Sequence, residues 1–474
     1  MYCKYGAIQE VALLFSKKSS QDIVDWTKTM KEFAQFGYGR ESLDLYSGMK
    51  SIGVIPDRVT FLTLISACSG LADLGKGIFI HEEIRSCGFT SDVVLGNALI
   101  DMYGKCGSLD FAKEAFNCMV IKDLVSWNTI IMVLAQCEKI IEALKMFDEM
   151  LFCGYTPDRV TYMNLLDGIT CKTLLHHGSF IHSHIVASGL ESEIKVVTAL
   201  LSMYAKCRCL DDAWRLFHKV PNRDLVLHNA MIAGCACEGH DKEAIELYKY
   251  LDVDGLSPNA RTFVSLLDAC AISGSLVEGE WIHCHIKASG LESNVIVSTT
   301  LVNFYAKCGN LDFARKLFGR LTTKDVVSWN TMLTALAQHG EGKETLHLFE
   351  QMKKDGIPPN KITFYTVLSA CCHSGMVSEG QDYFLSMRRD YGLYPIIEHY
   401  NILVDILVRA GRLHDAEDLI YTMPFRPSVT SWRTLLSGCR MYRNVELGKH
   451  AAKYACDLDP QSDSTYAILS GLLI

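Results

Sequence analysis

No apolar run in the chain approaches the roughly 20 residues of a membrane-spanning helix, so no span is expected. Nor does the chain contain a C-x-x-C pair, although it holds 19 cysteines. Zinc deaminases need H-x-E followed by P-C-x-x-C, so that one His and two Cys hold the metal while Glu shuttles protons. His81-Glu82-Glu83 matches H-x-E by spelling only, inside a helical run without a cysteine partner. A Walker-type phosphate loop and a nucleophile elbow are also missing. The pairs His182/His184, His283/His285, Cys207/Cys209 and Cys235/Cys237 are spaced two apart. Such residues point to different sides of a helix, so no shared metal is expected and the histidines should pack between helices. The reading is a chain with no enzymatic activity of its own, no cofactor and no metal. Positive charge is short as well: 46 Lys and Arg stand against 54 Asp and Glu, for a net charge of −8. That disfavours gripping nucleic acid by bulk charge and leaves room only for a local basic stripe.

What the chain does have is repetition. "LVSWNT" at Leu124–Thr129 returns as "VVSWNT" at Val326–Thr331, and Trp127 and Trp329 are 202 residues apart. Midway lies His228 in "LVLHNA", and 101 residues before Trp127 lies Trp26 in "IVDWTK". A fixed period of this kind marks a repeat architecture. The 101-residue unit divides into segments of 35, 35 and 31 residues. The expected domains are a partial short segment at 1–22, triplets at 23–123, 124–224, 225–325 and 326–428, a divergent helix pair at 429–463 and a remnant at 464–474.

Each segment reads as two antiparallel helices. In Val93–Asp123, "NALIDMYGK" spaces apolar residues helically, Gly107 breaks the helix, and Ser108 or Asp110 is placed to cap the next. Ala112, Ala213, Ala314 and Ala416 share one repeated site where small side chains let paired helices approach. Gly-x-x-Pro loops, Gly154–Pro157 and Gly255–Pro258 among them, close the second helices of 35-residue segments. One helix pair cannot bury its apolar face alone, whereas stacked pairs can, so the expected fold is an all-α, right-handed α-solenoid.

Cys106, Cys207 and Cys308, and again Cys68, Cys270 and Cys371, recur with the repeat and read as small hydrophobes within helices. A disulfide framework does not suit a long helical chain without a secretory signal, so a reducing compartment is expected. The first residues show neither a signal peptide nor an Arg/Ser-rich transit segment. Instead Met1 falls in register with Met102, Met203 and Phe304. The chain thus opens inside a repeat and stops inside "YAILSGLLI"; a coding sequence cut at both ends, or a degenerate paralogue, is the expectation.

The 35/35/31 alternation, "SWNT", "YAKCG" (Tyr305–Gly309), "GRLHDAEDL" (Gly411–Leu419) and "SWRTLLSGCR" (Ser431–Arg440) resemble the plant pentatricopeptide-repeat proteins built from P, L and S segments. The resemblance covers essentially the whole chain. The tail resembles the first E-type extension, with a second extension begun near Ser464, and no DYW deaminase domain follows. The resemblance implies an organellar factor, in a mitochondrion or chloroplast, that binds single-stranded RNA and marks cytidine-to-uridine editing sites. A deaminase and other editing factors would then act in trans. A helical protein scaffold without RNA binding, and a non-functional fragment, are the alternatives.

The resemblance places base readout at the fifth and last residues of a segment. An ionised Asp only accepts hydrogen bonds, whereas Asn also donates. A terminal Asp therefore suits the imino N–H of G or U, and a terminal Asn the bare ring nitrogen of A or C. In the family, Thr at the fifth position goes with purines and Asn with pyrimidines. Thr27 with Asp57, Thr198 with Asp224 and Thr299 with Asp325 then imply G. Asn97 with Asp123 and Asn128 with Asp158 imply U. Asn229 with Asn259 and Asn330 with Asn360 imply a pyrimidine, and Asn401 with Ser428 implies one weakly. Leu62, Met163, Val264 and Tyr365 give the middle segments no base. The expected target is 5′-G-n-U-U-n-G-Y-n-G-Y-n-Y, where Y is a pyrimidine. Helix capping is the alternative role for these polar residues.

The resemblance assigns Val24, Val125, Val226 and Val327, at the second position of the leading segments, to packing on base faces. A first-turn core role is the alternative. Lys4, Lys105, Lys206, Lys307 and Arg409 share one site at the end of the first helix of each short segment. A cation there can meet a phosphate or oppose the negative end of the helix dipole.

Overall fold

The computed structural model describes residues 22–460 and 463–473, so Lys4 and nearly all of the leading partial segment lie outside the described residues. The described residues form 27 α-helices and three short 3-10 turns, with no strand among them. No described helix is long and apolar enough to cross a membrane. The chain divides into two compact units, Met1–Gly234 and Cys235–Ile474, and the division falls inside the helix Leu225–Glu238 rather than between triplets.

Within each unit the helices pair as hairpins, and the first helix of one pair packs on the first helix of the next. In the first unit this layer runs through Ile23–Gln35, Arg58–Leu71, Val93–Lys105, Leu124–Gln136, Arg159–Asp167 and Ile194–Lys206. In the second it runs through Ala260–Ser273, Val295–Lys307, Val326–Gln338, Lys361–His373, Ile397–Arg409 and Val429–Met441. Second helices, such as Leu109–Cys118 and Leu311–Arg320, form the other layer and lean on first helices of their own and the following pair. This is the α-solenoid expected from the repeat.

The local causes are legible residue by residue. Asp57, Asp123, Asp158, Asn259, Asp325 and Asn360 stand at N-caps, each accepting a backbone N–H three residues on. Gly107, Gly154, Gly255 and Gly309 take positive φ just past helix ends, where a Cβ would be strained. Ala112, Ala213, Ala314 and Ala416 are fully buried in their second helices. Each "SWNT" tryptophan sits edge-on to a Phe of the preceding helix, Phe116 to Trp127 at 4.9 Å and Phe318 to Trp329 at 5.1 Å. Lys122 and Lys324 lie over the rings of those phenylalanines. Where His228 replaces the tryptophan, the ring keeps the same perpendicular contact with Phe217 at 5.1 Å, and Arg223 takes the lysine's place.

Two expectations need correction. Ser108 stands at the N-cap of Leu109–Cys118, but its side chain makes no capping bond, and Asp110 lies within the first turn. Cys106, Cys207 and Cys308 are C-cap residues just beyond their helices, because Gly107 and its counterparts end the helix one residue earlier than the apolar run suggests. Cys68, Cys270 and Cys371 do lie inside helices, fully buried, and burial pushes their thiols up to about 12.

Candidate nucleic-acid interface

The structure brings together several of the residue pairs that the sequence joins at a distance, and a third residue completes each group. Asn128 Nδ2 donates to Asp158 Oδ1 at 3.1 Å, while Thr161, at the third position of the next helix, donates from Oγ1 to Asn128 Oδ1 at 2.7 Å. Asn330 repeats this arrangement, with its Nδ2 3.2 Å from Asn360 Oδ1 and its Oδ1 2.7 Å from Thr363 Oγ1. Asn97 reaches Asp123 Oδ1 at 3.5 Å. The threonine groups use the hydroxyl contact: Thr27 lies 3.0 Å from Thr60, which donates to Asp57 Oδ1, and Thr299 lies 3.0 Å from Ser328, which donates to Asp325 Oδ1. The third residue (Thr60, Ser126, Thr161, Thr262, Ser328 or Thr363) was not anticipated as part of the site. Its signal in the sequence is a Ser or Thr three residues after the terminal Asp or Asn, present at every such residue except Asp224, which is followed by Leu227.

Capping is thus real for the terminal residues, but it does not consume them. In Asp57, Asp123, Asp158, Asp224 and Asp325 every side-chain hydrogen bond among the described residues goes to Oδ1. Oδ2 is left as an acceptor. In Asn360, Oδ1 takes the same three bonds and the Nδ2 amide is left as a donor. The cap fixes one oxygen of either residue type, so the outward atom alone changes from acceptor to donor. Burial of Asp123 and Asp158 works against their charge, but hydrogen bonds from Ser126 and Asn97, and from Thr161 and Asn128, outweigh it and hold both carboxyls below their ordinary range. Hydrogen bonds from Ser328 do the same for Asp325. All three stay ionised at neutral pH and can only accept.

Two pairs, Thr198 with Asp224 and Asn401 with Ser428, depart from this arrangement. Asp224 caps through Leu227 N–H at 2.8 Å, but Leu227 has no hydroxyl, and Thr198 turns its own to Ile194 O at 2.7 Å. Asn229 is buried in the first unit, and Asn259 caps its helix in the second. Asn401 Oδ1 accepts from Ser431 Oγ at 2.6 Å, and Ser428 is the neutral cap beside it.

Val24, Val125, Val226 and Val327 are 57 to 65 % exposed, so the first-turn core reading is set aside. The exposed site extends further than the leading segments, to Val59, Val94, Val160, Ile296 and Ile362. Lys105 and Arg409 form ion pairs with Asp101 and Asp405 one turn back. Lys206 and Lys307 face Ser202 and Asn303 at that position, are exposed, and have no ion pair among the described residues. All four end their first helices, as the dipole reading requires. His182 and His283, with His81, each bind a tyrosine hydroxyl of the next helix pair through Nδ1, at 2.8 to 2.9 Å. Burial lowers the pKa of all three. His184 packs instead on aromatic rings, and His285 both packs on rings and meets the Tyr248 hydroxyl through Nδ1 at 3.2 Å. Leu62, Met163 and Val264 are half-buried, while Tyr365 is exposed.

The model described as "PPR repeat family" matches residues 122–171 and 324–373. The "PPR repeat" model matches 97–124, 196–225, 226–256, 296–326, 362–391 and 398–426. The chain is 36 % identical over 472 residues to the Arabidopsis thaliana pentatricopeptide repeat-containing protein At1g11290, chloroplastic, covering all of this chain and 58 % of that protein. It is 34 % identical over 473 residues to At5g27110 from the same plant, covering all of this chain and 68 % of that one. Other relatives have chloroplastic or mitochondrial in their names. The chain spans only 58 % and 57 % of the length of two of these relatives. Among solved structures, maize PPR10 in complex with an 18-nt psaJ RNA element superposes with a TM-score of 0.58 at 18 % identity, covering 94 % of this chain and 71 % of that one. At that identity the likeness speaks for the fold. With repeat matches running from residue 97 to residue 426 and full-length identity to these relatives, the chain belongs to the pentatricopeptide repeat family.

Proposed function

We propose that the chain is a sequence-specific, single-stranded RNA-binding adaptor of the class built from P, L and S segments, which binds and positions rather than catalyses. The carrying observation is the terminal Asp or Asn whose Oδ1 is bound by the helix cap while Oδ2 or Nδ2 faces outward. A purely capping role needs no second polar atom and no alternation between acceptor and donor. The exposed valines beside these groups offer apolar faces for bases, at less than the roughly 1–3 kcal/mol of an aromatic stack. Lys206 and Lys307 are the cations best placed for phosphates, because neither forms an ion pair among the described residues, Asp268 acting on Lys307 only at longer range. The triplets 23–123, 124–224, 225–325 and 326–428 then read successive stretches of RNA. The helices Val429–Met441 and Val445–Leu458 form the start of an E-type extension that contacts a deaminase or other editing factor supplied in trans. Likeness to relatives named chloroplastic and mitochondrial supports action in one of those organelles.

The test is binding of the purified chain to the 12-nt RNA 5′-GAUUAGCAGCAC-3′, which follows the expected pattern. The control RNA exchanges each assigned G for A and each assigned U for C. A preference of tenfold or more for the first, reduced by Asp325→Asn and Asp224→Asn, supports the reading. Equal binding removes the base assignments. Absent binding by a folded sample that still captures a protein partner leaves the scaffold reading in front.

A further inference from the structure

One junction in the second unit breaks the polar pattern. The helix Ile397–Arg409 has Ile396 at its N-cap, which offers no side-chain acceptor, and His399 at the third position, where the other short segments carry the apolar Leu95, Val196 and Val297. His399 is buried and faces two ways: its Nδ1 accepts from Ile396 N–H at 3.3 Å, so its Nε2 donates to Lys361 O at 2.9 Å. Burial disfavours its charge, and both nitrogens are satisfied within the fold. Opposite it, at the fifth position of the preceding segment, stands Tyr365 rather than a hydrogen-bonding partner. The Tyr365 ring meets the His399 ring edge-on at 6.5 Å and 86°. It is 46 % exposed, and its hydroxyl has no hydrogen-bond partner among the described residues.

The exposed face of Tyr365 forms one wall of a cleft of about 760 Å³ that also contains Glu398, Asn401, Arg409, Ser428 and Thr430. Asn401 and Ser428 are the readout pair of the last short segment. That segment also lacks the exposed valine or isoleucine found at the second position of its neighbours: Glu398 stands there, and Thr430 follows in the next helix. A base presented to Asn401 would have a carboxylate and a hydroxyl beside it; Ile397, Ile402, Val408 and Met441 also line the cleft, but Tyr365 is its one aromatic ring.

Resting on the RNA-binding reading, we propose that Tyr365 is the stacking platform for the base read by Asn401, the last of the bound stretch. The middle segment thereby contributes a sequence-tolerant anchor instead of a readout pair. His399 is a positioning residue, holding the ring upright from a site that cannot itself reach the RNA.

The experiment uses the whole chain and the same 12-nt RNA, with an abasic nucleotide at the twelfth position or, as control, at the eighth, which faces Val264. Tyr365→Leu places the Leu62 side chain at the equivalent site and should fold normally; Tyr365→Phe keeps the ring. The expected results are about a tenfold loss of affinity for intact RNA with Tyr365→Leu and less than twofold with Tyr365→Phe. The twelfth-position abasic RNA should bind the native chain about tenfold more weakly, yet Tyr365→Leu less than threefold more weakly than its own intact complex. An abasic penalty of equal size in both proteins, or intact binding by Tyr365→Leu, overturns this proposal while leaving RNA binding standing. No binding of any RNA by the native chain overturns the adaptor reading and this inference together.

Discussion

Replacing Asp158 by asparagine separates two duties that the native carboxylate performs at once. Oδ1 caps the helix Arg159–Asp167 through Thr161 N–H at 2.9 Å and accepts from Asn128 at 3.1 Å. Asn keeps that oxygen, so Asp158→Asn should cost less than about 1 kcal/mol, the difference between charged and neutral acceptors. Asp158→Ala removes the cap, about 1 kcal/mol, and strands the nearly buried Asn128 amide, about 1–3 kcal/mol more. Its total should be roughly 2–4 kcal/mol. Repeat arrays do not unfold as one cooperative unit, so the stability readout is amide hydrogen exchange at Arg159–Thr161. Binding is measured in parallel with the 12-nt RNA carrying U or C at its fourth position. Asp158→Asn should reverse the preference from U to C by about tenfold, since the wrong base leaves a polar atom unpaired at roughly 1–3 kcal/mol. Unchanged base preference in a variant with native exchange rates would refute the division of labour between the two side-chain atoms. Destabilisation of Asp158→Asn equal to that of Asp158→Ala would refute the capping geometry.

Other outcomes follow from the same structure. Lys206→Ala and Lys307→Ala should each lower the slope of log affinity against log salt by about 1, whereas Lys105→Ala, which removes a cation already paired with Asp101, should change it less. The folded pKa values of Asp123, Asp158 and Asp325 lie below the ordinary carboxylate value. Their stabilising effect is therefore complete above about pH 4 and fades as pH falls through the lower folded values; a helix-melting series from pH 7 to pH 3 checks this, and loss between pH 7 and pH 5 would contradict it. In an alkylation time course read by mass spectrometry, exposed Cys87, Cys118, Cys153, Cys171, Cys237 and Cys284 should react first. Cys68, Cys235, Cys270, Cys371 and Cys372, with thiols raised to about 12 by burial, should react only on unfolding. Gly279→Ala places a Cβ against the Phe304 ring and should destabilise by about 1–3 kcal/mol, while Gly77→Ala meets only the flexible end of Met102 and should melt within a few degrees of the native chain.

The repeat and the all-helical fold were legible in the sequence because their causes are local. An Asp or Asn caps an amide three residues away, a glycine ends a helix within its own turn, and apolar spacing writes the buried face into the chain. The residues at the candidate interface were legible as positions, through their 101-residue recurrence. Their state was not. Asn128 meets Thr161 33 residues on, and only the packing of one first helix on the next brings them within hydrogen-bond reach. Whether Val125 lies in the core or in solvent depends on which way the first turn faces once its neighbours are stacked. The cap leaves one oxygen of Asp158 outward because the other is drawn in by partners on two helices. The glycines Gly77, Gly178, Gly279 and Gly380 recur as regularly as any motif, yet their cause became visible only when Met102, Met203, Phe304 and Ile406 were seen against them. Sequence determined what is repeated and where each helix begins; tertiary structure decided which atoms of the repeated residues are spent on the fold and which are left for a ligand, because that division is made between helices and not along one.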